Sequence, residues 1–318
     1  MDTVNVIEGK KQFQDCDFVE LYKFDSIDKT IPIYEVKSIH GLNQIIGYLK
    51  YNNKLKNILY RGETKLHTDM RPSLYRKICS QEGLDTAFNK MGKMVNGIMK
   101  DEAFCKYAGF DKLTKKWQKR AACEALLQHY GWGTSCLDVV DNHWVALWFG
   151  LNKCVCYKKE SGRYIIYKNR ICDSYNDEQD KIHMGKEAEN NESCLKDYQY
   201  IIMFAAEIVS LAKAKSEPNM IYALDLRAEL PSMFIRPHAQ HGLLLRAKHS
   251  ARLNYADNIV GIVKIRIDRA AKWLGNGDLV KYDQLFPSPI ADFGYDVILK
   301  RTLGEQHLFN LTDIPRLA

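Results

Sequence analysis

The chain has 318 residues, of which 46% are hydrophobic and 11% aromatic, and a formal net charge of +7. That length and apolar content exclude a disordered chain and allow one large domain or two modest ones. The mildly basic balance suits nucleic acid, nucleotide phosphates or acidic proteins, and is also common in lysine-rich cytosolic proteins with no such partner. The nine cysteines are irregularly spaced. Cys154 and Cys156 form a CxC pair with no second pair and no histidine cluster, which argues against zinc and for reduced thiols in a cytoplasmic protein. The N-terminal residues contain no apolar signal-like core, and runs such as 200–206 are too short to span a bilayer, so no membrane association is expected.

Residues 1–37 alternate charged and apolar groups without a clear period. They read as a lead-in, irregular or carrying an edge strand, before a domain over 38–318. In 38–50, Leu42, Ile45, Ile46 and Leu49 recur at helical spacing. Residues 57–61 read as a short strand with Ile58 and Tyr60 on one side, ended by Gly62. A helix predicted over 84–100 carries Phe88, Met91, Val95 and Ile98 on one face. A further helix over 112–129 delivers Gln128, His129 and Tyr130 to a Gly-x-Gly break at Gly131 and Gly133. A short strand over 134–138 follows. Asp141 or Asn142 then stands where an N-cap belongs, before a helix over 144–151 that is apolar almost all round. The run 173–197 is charged and poor in aliphatics, a surface loop or mobile insertion. A helix over 198–213 and strands over 220–226, 232–236, 242–246, 258–267 and 295–300 complete the reading. Helices dominate the first half and strands the second, which makes the class α+β.

Several polar groups fall where a site can form. Arg61, at a strand end, can present a planar fork to phosphate or carboxylate oxygens, with Gly62 letting a ligand approach; it can equally pair with Glu63. Arg71, Ser73 and Arg76 in a Pro-anchored turn can cradle an anion or face solvent. His129 closes a helix, where the dipole favours its protonated form. Tyr130 can stack on a planar ligand or plug the helix end. Thr134, Ser135 and Asp138 lie on a segment heading inward and need partners, either in neighbouring turns or in a cleft. Asp138 has no capping duty, whereas Asp141 reads as the cap. Gln240 sits in a crowded 236–242 segment between two strands. His238 and His241 lack the spacing and the nearby carboxylate of a metal site, so no metal is expected. The chain has no P-loop, GxGxxG, GxSxG or HExxH motif.

The constellation resembles the FRG domain family over about residues 38–290. Tyr60-Arg61-Gly62 stands as the family's (F/Y)-R-G motif and Pro72-Ser73-Leu74-Tyr75-Arg76 as its Pro-Ser-Leu-x-Arg turn. Residues 128–149 carry its Gln-His-Tyr-Gly, Thr, Leu-Asp and Ala-Leu-x-Phe signature. Arg236, Gln240 and Gly242 match a later Arg-x-x-x-Gln-x-Gly pattern. Trp132-Gly133, Cys136 and Val139-Val140 depart from the usual residues. A more distant likeness is to the ADP-ribosyltransferase fold, a mixed or antiparallel split sheet with helices. Its order of parts matches Arg61, the Thr134-Ser135 segment and Gln240.

That second likeness implies an enzyme that takes NAD as a substrate and needs no metal. Arg61 would hold the diphosphate, with Tyr60, Gly62, Ser73 and His129 around it. Tyr130 would stack on nicotinamide, while Thr134, Ser135 and Gln240 order the ribose. Gln240 cannot carry charge, so Asp138 or Glu63 would supply it. The implied acceptor is RNA, DNA or protein, in a bacterial toxin or phage-defence setting that can include an antitoxin or regulatory partner. The alternative is a non-catalytic module that senses a nucleotide or nucleic acid.

Overall fold

The computed structural model describes residues 4–25, 27–76, 78, 80–130, 133–159, 162–171, 197–212, 221–247, 255–288, 290–292, 294 and 298, with backbone alone over 156–159 and 162–166. The first half runs β1 (Cys16–Lys23), β2 (Thr30–Val36), α1 (Ile39–Asn52), β3 (Asn57–Glu63), α2 (Gln81–Ile98), α3 (Glu102–Tyr107), α4 (Lys116–His129), β4 (Leu137–Val140) and α5 (His143–Leu151). A hairpin follows, β5 (Asn152–Lys159) and β6 (Gly162–Asn169), then β7 (Tyr198–Ile208), β8 (Ile221–Asp225), α6 (Leu226–Glu229) and α7 (Ile235–Ala239). The last elements are β9 (Gly242–Ala247), β10 (Ile259–Arg266), α8 (Ile267–Trp273) and α9 (Tyr282–Leu285).

Eight strands join in the order β1-β2-β10-β7-β3-β4-β9-β8, and β7 also pairs with β8. The extra pairing closes β7, β3, β4, β9 and β8 into a barrel-like ring, with β10, β2 and β1 extending from β7. The β2–β10 and β7–β8 pairs are parallel and the others antiparallel, so the sheet is mixed and the α+β class holds. Hairpin β5–β6 stands as a sheet of its own. Residues 16–36, expected as lead-in or edge strand, form the β1–β2 hairpin, with β1 at the sheet edge.

Alternation along the strands sorts the core into layers. Leu59, Leu137, Val139, Phe204, Leu243 and Leu245 point into the ring and pack together. On the outside, α1, α5 and α8 cover one sector through a cluster that includes Leu42, Leu49, Tyr60, Ala146 and Met203. Helices α2 and α4 cover another, through Met91, Val95, Leu126, Leu224 and Leu244. Helix α1 forms where its apolar spacing predicts, and Ser38 caps it by accepting from the Gly41 amide at 3.1 Å. At α5 the cap is Asn142, whose Oδ1 accepts from the Trp144 amide at 2.9 Å. Asp141, the expected cap, instead pairs with Arg227 at 2.5 Å.

Two predicted elements change type. Residues 198–208, read as a helix, are the central strand β7, flanked by β3 and β10. Both faces of Ile201–Ala206 are buried, so the strand shows a continuous apolar run instead of alternation, and such a run looks like a buried helix. The strand expected over 232–236 is a turn entering α7: the Phe234 amide reaches Pro231 O at 3.1 Å, and Asp292 accepts the Ile235 and Arg236 amides at 3.3 and 3.0 Å. Gly131 and Trp132, residues 213–220, the charged run at 172–196 and most of the strand expected at 295–300 lie outside the described residues.

Gly62 has a packing reason. A Cβ at this position would lie 1.8 Å from Ala146 O and 2.7 Å from Gly150 N, so α5 can lie on β3 only because residue 62 has no side chain. Gly62→Ala should therefore cost about 3 kcal/mol of stability in urea unfolding. A loss under about 0.5 kcal/mol, ordinary for a surface change, would contradict this packing.

Candidate active site at the seam between β3 and β4

Strands β3 and β4 share one register pair, Tyr60 with Val140. Beyond it a side chain takes over from the ladder. Arg61 Nη1 donates to Asp138 O at 2.8 Å, and Arg61 Nε pairs with Glu63 Oε1 at 2.6 Å. The turn carrying Pro72 to Arg76 docks on the same segment, with the Leu74 amide 3.4 Å from Thr134 O. The Tyr60-Arg61-Gly62 motif, the Pro-Ser-Leu turn and the 128–138 segment thus form one continuous structure.

Charge concentrates here. The Arg61 side chain is 17% exposed and that of Glu63 14%. Burial works against the Arg61 charge, but Glu63 and Asp138 outweigh it and hold the group above its ordinary range. Arg76 feels the same field: burial and then Arg61 lower it, while Glu63, Asp138 and Asp69 oppose the shift. His67 Nε2 lies 4.0 Å from Glu63 Oε2. Arg71 holds the turn together instead, with Nε on Asp69 at 2.7 Å and Nη1 on Ile78 O at 3.3 Å. Aromatic and cationic groups line the outer side. Tyr167 packs on Phe286 with centroids 4.9 Å apart, and the Arg236 guanidinium sits 4.8 Å over the Phe286 ring. Asp138, Arg61 and Arg236 all act on the Tyr167 hydroxyl.

The half-buried Asp138 is held by Gln128, whose Nε2 donates to Oδ2 at 2.5 Å. Thr134, fully buried, donates its hydroxyl to Gln128 Oε1 at 2.5 Å and accepts the Cys136 amide at 3.1 Å. Gln128 is a site residue that the sequence pattern alone does not single out. Its signal is a polar side chain at the end of an otherwise apolar, buried helix turn, close in sequence to a strand carboxylate.

Other expected contacts belong to the scaffold. Tyr60 is buried under α5, edge-on to His143 at 5.8 Å, so its ring cannot line a ligand site. Gly62 is occupied by α5 and admits no ligand. Tyr130 is 4% exposed and donates to Asp292 at 2.8 and 2.9 Å, which removes it as a stacking platform. Ser135 donates its hydroxyl to Glu124 Oε1 at 2.5 Å and its amide to the same oxygen at 2.8 Å. Glu124 also pairs with Arg246, and this buried network locks α4 to β9. Gln240 is buried and donates Nε2 to Leu285 O at 2.9 Å. Ser73 stays exposed on the turn. Arg61, Glu63 and Asp138 therefore come together, joined by Gln128, Thr134, Arg76 and Arg236. Among the described residues no group of three or more His, Cys, Asp or Glu side chains could hold a metal ion, and no helix is long and apolar enough to cross a membrane.

Residues 56–158 match the FRG domain model. The match spans about a third of the chain. Neither a curated protein nor a solved structure matches the chain significantly. The FRG segment holds β3, the Pro-Ser-Leu turn, Gln128 and Asp138, whereas Arg236 and Gln240 lie beyond it.

His129 lies beneath this wall. A Cβ on Gly242 would stand 2.3 Å from its Cε1, so the ring takes the space that glycine leaves. Neither ring nitrogen meets a partner at hydrogen-bonding geometry, although Gln240 lies alongside. Burial, with Arg236 adding to it, lowers His129 to about 4 from 6.5, against the pull of Asp138 and Gln240. The helix end was expected to favour a protonated ring; burial overrides the dipole. A depressed folded pKa means that the folded state binds fewer protons, so stability from this group is complete above about 6.5 and drains as pH falls toward 4. The loss should reach about 3 kcal/mol, because a tenfold change in proton affinity is worth about 1.4 kcal/mol. His129→Gln should flatten the stability profile between pH 7 and 4. A profile as steep as that of the wild type would show that His129 does not cause it.

Proposed function

We propose that the chain is an NAD-consuming ADP-ribosyltransferase whose site is the cluster of Arg61, Glu63 and Asp138. One arrangement carries the reading: a partly buried arginine fork held at a strand seam between two carboxylate-bearing residues, with Arg76 beside it. A guanidinium has five N–H donors. Two serve Glu63 and the Asp138 carbonyl, which fixes the fork and leaves the others for diphosphate oxygens. Such a site suits a substrate that is anionic at its diphosphate and turns cationic at its ribose. The C1′–N bond of NAD breaks and its electron pair moves to nicotinamide. The positive charge left on the ribose is stabilised by a carboxylate. An acceptor hydroxyl or amine then bonds C1′ and releases its proton to solvent.

This reading takes the mixed sheet as a closed relative of the ADP-ribosyltransferase split sheet. The net charge of +7 favours RNA or DNA as acceptor. The family likeness adds a bacterial toxin or phage-defence setting. The second reading is a nucleotide- or nucleic-acid-binding module without turnover. It is favoured by Gln240, a neutral amide already spent on Leu285 O where the likeness places a charged residue.

Purified protein with labelled NAD and RNA should release nicotinamide and transfer label, and Arg61→Ala should reduce both by about 100-fold. Equal, background-level release from the two proteins would remove the enzyme reading. RNA binding that falls steeply with salt and yields no covalent product would select the second.

A further inference from the structure

We infer that Asp138, and neither Glu63 nor Gln240, is the carboxylate that faces the developing positive charge, and that Gln128 and Thr134 hold it in place. The inference rests on the transferase reading above and assigns roles within that site.

The two carboxylates differ in what holds them. Glu63 is in a close ion pair with Arg61 Nε at 2.6 Å, so its charge is already answered. Asp138 Oδ2 is held by the amide of Gln128, a neutral donor, and no ion pair joins Asp138 to a cation within 4.0 Å among the described residues. A neutral donor orients a carboxylate without cancelling its charge. His129, on which Asp138 acts, is kept neutral by burial, so it adds no cation there.

The faces differ too. Side chains alternate along a strand, so Arg61 and Glu63 both share the face of Leu59, and Arg61 reaches the seam by donating to Asp138 O. Asp138 shares a face with Val140, on the outer side, within the field of Arg236 and Tyr167. On that outer side Arg236 lies over the Phe286 ring and Tyr167 packs on the same ring.

The relay has one allowed polarity. Thr134 Oγ1 accepts the Cys136 amide, so its proton goes to Gln128 Oε1. The Gln128 oxygen therefore faces Thr134 and its NH₂ faces Asp138. The reverse orientation would set the amide oxygen against a carboxylate. Backbone, hydroxyl, amide and carboxylate thus form a chain anchored in the buried end of β4.

The test compares Asp138→Asn, Glu63→Gln, Gln128→Ala and Thr134→Val, each checked by thermal melting. Asp138→Asn should lower nicotinamide release at saturating NAD by about 100-fold while NAD affinity changes little, the signature of a group that acts in the transition state. Gln128→Ala and Thr134→Val should lower the same rate by about tenfold, again with little change in affinity. Glu63→Gln should weaken NAD binding instead, because the Arg61 fork loses its anchor. Near-normal turnover in Asp138→Asn, or a pure rate loss in Glu63→Gln, would overturn the assignment. An independent readout is the Gln128 side-chain amide signal in a ¹⁵N–¹H spectrum, which should move in both Asp138→Asn and Thr134→Val. If the wild type consumes no NAD, the transferase reading and the carboxylate assignment fall together, and an unmoved Gln128 signal would remove the relay as well.

Discussion

The ring of strands has two short joints, β7–β8 with two register pairs and β3–β4 with a single one, Tyr60 with Val140, while its other joints are longer ladders. A barrel-like sheet needs all its joints, because an open edge leaves unpaired donors and acceptors. Between β3 and β4 the deficit is met by side chain and loop: Arg61 reaches Asp138 O, and the Leu74 amide reaches Thr134 O. The same splaying that weakens the ladder exposes a strand carbonyl and a strand carboxylate to charged side chains. The candidate site is therefore a consequence of how the ring closes, and Arg61 has a structural duty whatever chemistry it serves.

Glu124, Asp292 and Asp138 are held in three different ways, and Asp292, fully buried, is answered among the described residues by neutral donors alone: the Tyr130 hydroxyl and the amides of Ile235, Arg236 and Gly294. Glu124 is almost fully buried and is answered completely, by Arg246, the Ser135 hydroxyl and the Ser135 amide. Removing one partner of such a pair strands a buried charge, at a cost of about 3–5 kcal/mol. That arrangement is rigid and spends every interaction on the fold. Asp138, fourteen residues on, is held by a neutral amide and stays half-buried. Stability alone would favour pairing it as Glu124 is paired. Among the described residues the one hydrogen-bonding donor to the Asp138 carboxylate is neutral, and Arg61 and Arg76 act on that carboxylate through the field alone.

Much of the fold was legible because its elements have one buried face. The α1 stripe of Leu42, Ile45, Ile46 and Leu49 reads directly as a helix, and β3, β8, β9 and β10 fall close to where alternation and glycine punctuation put them. Strand β7 reads as a helix because a strand buried on both faces has no period to detect. The site was legible in part. Arg61, Glu63 and Asp138 stand out as polar groups at strand ends, and the structure brings them together. What the sequence could not convey was direction. Glu124 and Arg246 sit within the apolar runs Ala121–Leu127 and Leu243–Ala247, and a lone charge in such a run is the sign of a buried pair. Only the tertiary fold shows that the two answer each other and take Ser135 with them.

Direction also explains why the segment from Gln128 to Asp138 divides its labour residue by residue. Gln128 turns to Asp138, its neighbour His129 lies beneath Gly242, and Tyr130 turns inward to Asp292. Thr134 orients Gln128 and Ser135 ties down Glu124. A helix end advances about 100° per residue and a strand about 180°, so adjacent polar residues face different surroundings. A run of hydrogen-bonding residues at a helix end thus looks like a single site in sequence, yet here half of it is scaffold. The scaffold half has its own role in the site. Tyr130 and Ser135 pin the two ends of the segment to buried acids. Gln128, Thr134 and Asp138 are thereby held at fixed spacing, and a carboxylate steered by one neutral hydrogen bond depends on that fixed spacing.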